Sequence, residues 1–244
     1  DCFTAFGGSQ YLNSGATGRY GDHILHELVG FIEDKFAAVR APEGRAVLGM
    51  SSGGFGALTL AMRHPDVFGH CVSHSGDMGF DVCYGGDLPK LCGALQKYGR
   101  SVPRFLAAFR GSRDKAGFDH GAINALGMAA CYSPNPKSPI GFDLPVDLRT
   151  GERIPAVWKR WEVLDPVSAC VRHAAALRRL KTLWFDAGVK DEFFLHLGAR
   201  RLSDALKRLQ VKHIHAEHDR GHFDMGARLD VSLPLLTKRC ARVG

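Results

Sequence analysis

Ala46-Val47-Leu48-Gly49-Met50-Ser51-Ser52-Gly53-Gly54-Phe55 is the stretch whose reading decides the fold of this chain. Ala46 to Met50 is an apolar run of strand length, and Phe55, Leu58 and Met62 then recur along one helical face before Pro65. Between strand and helix stands Gly49-Met50-Ser51-Ser52-Gly53, a G-x-S-x-G turn in the strand–turn–helix context that gives the motif its meaning. Lifting a serine hydroxyl clear of a sheet needs a sharp reversal of the backbone, in which side chains two residues before and two after the serine collide. Glycine at both places removes the collision. The helix that follows aims its positive end and its free N–H groups at the same point, which suits a developing oxyanion. Ser51 is therefore the candidate nucleophile, and the backbone N–H of Ser52 is the first candidate oxyanion donor. The plainer alternative is a glycine-rich turn with an incidental serine; the flanking strand and helix weigh against it.

Working outward, residues 1–20 are rich in Gly, Ser, Thr and Asn and read as an irregular loop. From Asp22, the residues Leu25, Leu28, Val29, Ile32 and Phe36 predict one amphipathic helix, closed by Ala41-Pro42-Glu43-Gly44. Downstream of the elbow, Phe68 to Ser73 reads as a buried strand. The stretch from about 76 to 165 differs in kind, since it carries seven of the eleven prolines and only short helical pieces such as Phe105–Phe109 and Ala122–Ala130. It reads as a long, cap-like insertion of the type that covers a binding site. Regular structure then returns: a helix at Val167–Leu180, a strand at Leu183–Asp186, a helix at Gly198–Leu209, a strand at Val211–Ala216 and a closing helix. Strands separated by single helices predict an α/β fold, mostly parallel, with helices on both faces. The expected organisation is a single domain over 1–244 interrupted by the insertion at about 76–165.

A serine hydroxyl is a weak nucleophile without a base, and the base needs a carboxylate to hold its tautomer. With this elbow the order along the chain is Ser, then Asp or Glu, then His. Asp191 lies in Phe185-Asp186-Ala187-Gly188-Val189-Lys190-Asp191-Glu192, a loop just beyond a buried strand and at the same sheet edge as Ser51. Asp186 is still at the strand end and better placed to brace the loop; Glu192 is the other rival. Asp191 is the preferred acid. His222, in Asp219-Arg220-Gly221-His222 after the last strand, is the preferred base. His218 lies closer to the strand, suited to pointing into the sheet or supporting the site from behind. Four histidines between 213 and 222 raise the question of a metal, but His213 and His215 have strand spacing and HExxH is absent, so no metal is expected. His64, His70 and His74 read as structural, with His74 close enough to its strand end to approach the site.

The 244 residues are 45% hydrophobic and 23% charged, an ordinary globular composition. No apolar run approaches the roughly 18 residues of a membrane span, and the opening DCFTAFGG has no basic start or apolar core of a signal peptide. Without an initiator Met, the expectation is a native start that lies upstream. The net charge of +7 comes from short clusters such as Arg178-Arg179-Leu180-Lys181 and Arg200-Arg201 inside helix-like segments. That pattern reads as a solvated basic surface, mildly attractive to anionic substrates, and not as a nucleic-acid site. Seven widely spaced cysteines without CxxC fit neither a disulfide framework nor a zinc ribbon. They read as mostly reduced, buried thiols of a cytoplasmic protein, with Cys83 and Cys92 the pair that an oxidising compartment would join.

Together, Gly49-Met50-Ser51-Ser52-Gly53-Gly54-Phe55-Gly56-Ala57-Leu58, His64-Pro65-Asp66-Val67-Phe68-Gly69, Ser73-His74-Ser75-Gly76, Asp186-Ala187-Gly188-Val189-Lys190-Asp191-Glu192-Phe193 and Gly221-His222 carry a resemblance. The chain resembles the esterase branch of the α/β-hydrolase superfamily that includes esterase D (S-formylglutathione hydrolase), feruloyl esterases, enterochelin esterases and mycolyltransferases. The resemblance spans nearly the whole chain except the middle insertion. It implies an α/β-hydrolase fold, a Ser51–Asp191–His222 triad, no cofactor and a small-molecule ester substrate; from the charge pattern and hydropathy above, no nucleic-acid or membrane partner is expected. One departure stands out: in that family the segment resembling Asp1–Ser14 follows the fourth strand, and the earlier strands and the His-Gly loop that supplies the second oxyanion N–H have no counterpart here. The expectation is an N-terminally truncated chain holding the triad and half of the oxyanion hole. The implied reaction is hydrolysis of a carboxylic ester or thioester through an acyl-serine. Its rivals are an acyltransferase, in which an alcohol replaces water, and a non-catalytic binding protein of the same fold, which the complete residue set disfavours. Oligomeric state is left open.

Overall fold

The apolar run before Ser51 forms strand β1 (Ala46–Met50), and the helix after it is α1 (Ser52–Arg63), in a computed structural model that describes residues 2–240. Strands β2 (His70–His74) and β3 (Thr182–Gly188), helix α2 (Leu195–Arg208), strand β4 (Ile214–His218) and helix α3 (Leu229–Arg239) complete the scaffold around the sheet. All three strand pairings are parallel, in the order β1-β2-β3-β4. The register sets Met50, His74, Asp186 and Ala216 on one rung across the sheet. Residues just past that rung therefore emerge together at the carboxyl edge, where open α/β sheets place their sites.

Alternation along the strands decides which face each side chain serves. Cys71, Leu183 and Phe185 pack with Leu58, Ala61 and Met62 of α1 and Leu202 and Leu206 of α2 on one face. Val72 and Trp184, one residue out of phase, pack with Leu236 of α3 on the other. The central strands β2 and β3 are buried along their whole length, as expected of parallel strands covered on both sides.

Several boundaries differ from the sequence reading. The helix predicted from Asp22 to Phe36 contains a π-helical stretch at His23–Leu28 before regular helix at Val29–Lys35. Val167–Leu180 is two helices, Pro166–Arg172 and Ala174–Arg179, broken at His173. The last strand begins at Ile214, not Val211; Val211 is buried in the α2 cluster from the turn before it, with its N–H on Leu206 O.

The chain divides into two compact units: the sheet and its helices, built from Gly21–Cys83 and the residues from Leu164 onward, and a second unit built from the residues up to Tyr20 together with Tyr84–Val163. This second unit is more helical than the sequence suggested, with helices at Asp87–Gln96, Val102–Gly111, His120–Tyr132 and Pro155–Leu164. Its prolines misled because Pro89, Pro103 and Pro155 sit in first turns, where a missing N–H breaks no helical bond. Trp161 is fully buried there against Tyr84 and Tyr132, and the Gln10 amide donates to Tyr132 Oη at 2.9 Å, which ties the first residues into this core. The N-terminal stretch, expected as an irregular loop, holds two short hairpins, Phe3–Thr4 with Gly7–Gly8 and Asn13–Ser14 with Gly18–Arg19.

All seven cysteines are free. Burial pushes the Cys71 thiol well up and the Cys131 thiol up to about 12. Among the described residues no helix is long and apolar enough to cross a membrane.

Candidate active site

The backbone at the elbow is strained where the sequence asks for it. Ser51 has φ 55° and ψ −125°, a conformation that L-residues other than glycine rarely adopt. Its N–H donates to His74 O at 2.9 Å and its carbonyl accepts from Phe55 N at 3.0 Å, so the residue is held at both ends while its side chain is raised. A Cβ on Gly49 would lie 2.1 Å from the Gly53 carbonyl oxygen, which gives the first glycine of the motif its necessity. Ser52 opens α1, and its N–H has no acceptor within the helix. The Ser52 hydroxyl donates to Asp77 Oδ2 at 3.3 Å.

Two loops bring the partners to Ser51. They meet closely: a Cβ on Gly188 would lie 1.9 Å from Arg220 O, and Val189 N–H donates to His218 O at 2.9 Å. Asp191 is buried, and its Oδ1 accepts from Phe193 N–H at 2.9 Å. Its Oδ2 lies 2.8 Å from His222 Nδ1, and His222 Nε2 lies 3.0 Å from Ser51 Oγ. The three side chains chosen from the sequence therefore form one continuous hydrogen-bonded line. Burial pushes the Asp191 carboxyl up; the hydrogen bond and charge of His222, with the N–H groups of Phe193 and Leu195, outweigh it and leave the group below its ordinary value. The Phe193 ring packs edge-on against His222 at 4.7 Å.

The rivals occupy other places. Glu192 turns its carboxylate to the backbone, where Oε2 accepts from His222 N–H at 2.6 Å; a Cβ on Gly221 would lie 2.8 Å from this carboxylate. Asp186 is fully buried between His74 Nδ1, at 2.8 Å, and the Arg228 guanidinium, at 2.9 Å. His218 ends β4, and burial holds its imidazole below the ordinary value. His213 and His215 stack on the Phe185 ring, and His213 is engaged with Ser203 Oγ and Val211 O, both at 2.9 Å. Among the described residues no three His, Cys, Asp or Glu side chains are gathered as a metal-ligand set. Sequence reasoning missed the contacts of Glu192, Arg228 and Ser232. Only Glu192, adjacent to the chosen aspartate, carried any signal.

The chain is 30% identical over 81 residues to the uncharacterized protein YbbA of Bacillus subtilis, covering 33% of this chain and 30% of that one. In fold it is similar to FphF, a fluorophosphonate-binding serine hydrolase of Staphylococcus aureus, with a TM-score of 0.56 and 17% identity over 96% of this chain and 68% of that one. It is likewise similar to an S-formylglutathione hydrolase from Agrobacterium tumefaciens, with a TM-score of 0.55 and 17% identity over 96% of this chain and 64% of that one. The chain thus spans less than a third of the curated relative and about two thirds of these structures. The shared fold is the α/β-hydrolase fold. Residues 9–226 match the Esterase family, and the protein belongs to that family.

Proposed function

We propose that the protein is a serine hydrolase that cleaves a small-molecule carboxylic ester or thioester through an acyl-serine intermediate. In this reading Ser51 is the nucleophile, His222 the general base and then acid, Asp191 the residue that orients and stabilises the imidazole, and the Ser52 N–H an oxyanion donor. The observation that carries it is the unbroken line from Ser51 Oγ through His222 to Asp191, ending on a serine held in strained backbone.

With the Nδ1 proton directed at Asp191, His222 Nε2 is the acceptor for the Ser51 proton. Ser51 Oγ attacks the carbonyl carbon, and negative charge builds on the carbonyl oxygen beside the start of α1, where the Ser52 N–H and the helix dipole meet it. His222 returns the proton to the departing alcohol or thiol. A water then repeats the sequence on the acyl-serine: His222 takes its proton, the acid leaves and Ser51 is restored. The depressed Asp191 carboxyl stays charged throughout, as it must to stabilise the imidazolium. Family membership supports the ester reading, and the thioester alternative draws on the likeness to a hydrolase named for S-formylglutathione.

A fluorophosphonate probe tests this directly. Labelling of the wild type that disappears in Ser51→Ala, together with Ser51-dependent hydrolysis in a panel of p-nitrophenyl esters and thioesters, is the expected result. Equal labelling of both proteins, or hydrolysis that survives the substitution, sinks the proposal.

A further inference from the structure

Arg228 stands six positions beyond His222, at the far end of the same helical segment, His222–Arg228. Its Nε donates to Asp186 Oδ2 at 2.9 Å, and its Nη2 lies 2.9 Å from the same oxygen in an ion pair. The other oxygen of that carboxylate meets His74 Nδ1 at 2.8 Å, and His74 Nε2 meets Ser232 Oγ of α3 at 2.9 Å. Asp186, His74 and Ser232 are all fully buried. The side chains of two neighbouring strand ends thus grip the segment that carries His222 and the helix that continues it.

The main chain of His74 grips the other half of the site, and that of Asp186 grips the residue after His74. His74 O accepts the Ser51 N–H at 2.9 Å, and Asp186 O accepts the Ser75 N–H at 2.7 Å. His74 therefore holds the nucleophile's turn with its carbonyl, Asp186 holds the residue after His74 with its own, and the two side chains hold the base-bearing segment and the helix that continues it. Of that segment, Phe223, Asp224, Gly226 and Ala227 are exposed, and the backbone departs from helical geometry at Asp224.

We propose that Asp186 and Arg228 are positioning residues, whose ion pair sets the placement of the His222 imidazole against Ser51. They touch neither substrate nor reacting atoms. The kinetic consequence rests on the hydrolase reading above; the placement itself does not.

The test compares Arg228→Met, Arg228→Lys and the double variant Asp186→Asn/Arg228→Met with wild type. The readouts are kcat and KM on p-nitrophenyl acetate, melting temperature, and the downfield proton resonance of His222 Nδ1–H, assigned by its loss in His222→Gln. Misplacement of a catalytic group costs up to about 100-fold. Arg228→Met is expected to lose kcat on that order with KM within about twofold, and to lose or broaden the resonance. Arg228→Lys, which keeps the charge, restores much of both. The double variant leaves no uncompensated buried charge, so it regains melting temperature without regaining kcat or the resonance. Wild-type kcat and resonance in Arg228→Met well below its melting point overturn the proposal. If that variant does not fold, a folded double variant whose kcat and resonance both match wild type does the same. A wild type with no ester turnover defeats the hydrolase reading alone, because the resonance needs no substrate and still decides the placement.

Discussion

Two lines of serine, histidine and aspartate run through the sheet unit, and their lengths hardly differ. Ser51–His222–Asp191 is joined at 3.0 and 2.8 Å, and Ser232–His74–Asp186 at 2.9 and 2.8 Å. What surrounds them differs in every respect that chemistry needs. Ser51 sits on a strained turn beside the open N–H groups of α1, whereas Ser232 lies inside α3 with no accessible surface. Asp191 faces one imidazole and a few N–H groups, so its charge is directed at His222; the Asp186 charge is shared with the Arg228 guanidinium. A hydroxyl–imidazole–carboxylate line is thus not in itself a site. Access for a substrate, a raised nucleophile and donors for an oxyanion make one, and the buried line lacks all three.

The sharpest way to break this contrast is to exchange the two serines in turn. Ser51→Ala is expected to cost roughly 10⁶-fold in kcat and all fluorophosphonate labelling. Ser232→Ala leaves the label on Ser51, located by peptide mapping, and its effect is read as a stability loss of about 1 kcal/mol for one buried hydrogen bond. Labelling at Ser232 in the wild type or in Ser51→Ala would break the distinction outright.

The carboxylates come next. Asp191→Asn is expected to lower kcat by about 10⁴-fold by presenting the wrong partner to Nδ1–H. The folded Asp191 carboxyl lies below its ordinary value, so the folded state binds fewer protons there than the unfolded chain does. Its stabilisation is fully present above the unfolded value of about 3.9 and is lost as pH falls through the depressed folded value. Acid unfolding curves should therefore show wild type losing stability faster than Asp191→Asn in that window; parallel curves would mean that His222 does not hold the charge. Smaller still is Gly49→Ala. Its new Cβ meets the Gly53 carbonyl at 2.1 Å, and the overpacking is expected to cost about 1–3 kcal/mol in denaturant melts, with activity falling as the elbow shifts.

The sequence made the proposed catalytic line legible and left its buried counterpart hidden, for a physical reason. Ser51 came with two glycines and a strand-to-helix transition, and these are local requirements of an exposed, strained serine. Asp191 and His222 followed from chain order and from lying just past strand ends. Ser232 and Arg228 answer no local requirement: each is an ordinary helical residue until the fold sets it against β2 and β3. The same division holds at larger scale. The parallel sheet was readable because its strands are apolar and alternate with helices, whereas three of the helices described in 84–163 were masked in whole or in part by prolines that stand in their first turns. The strand start at Val211 failed because a buried apolar residue in a turn has the same local appearance as one in a strand.

The smallest effect sharpens the comparison at its backbone. His74 lies in a strand, and its main chain is fixed by the ladders on both sides. His222 lies in a loop, and its N–H is received by the carboxylate of Glu192 at 2.6 Å. A histidine outside the sheet, as the proposed base is, thus needs a brace that the strand-held one does not. Loss of an N–H bond to a charged acceptor costs about 1.5–3 kcal/mol, and exposure of the Glu192 side chain puts it at the low end. Glu192→Ala is therefore expected to lower kcat by about tenfold with KM little changed. Glu192→Gln keeps an acceptor oxygen in reach, and its loss should stay within about threefold if geometry is what the brace supplies. Equal losses in the two variants would show that the negative charge, acting on the imidazolium formed at His222, matters more than the hydrogen bond. No loss in either would mean that Asp191 and the Arg228 attachment suffice to hold the ring.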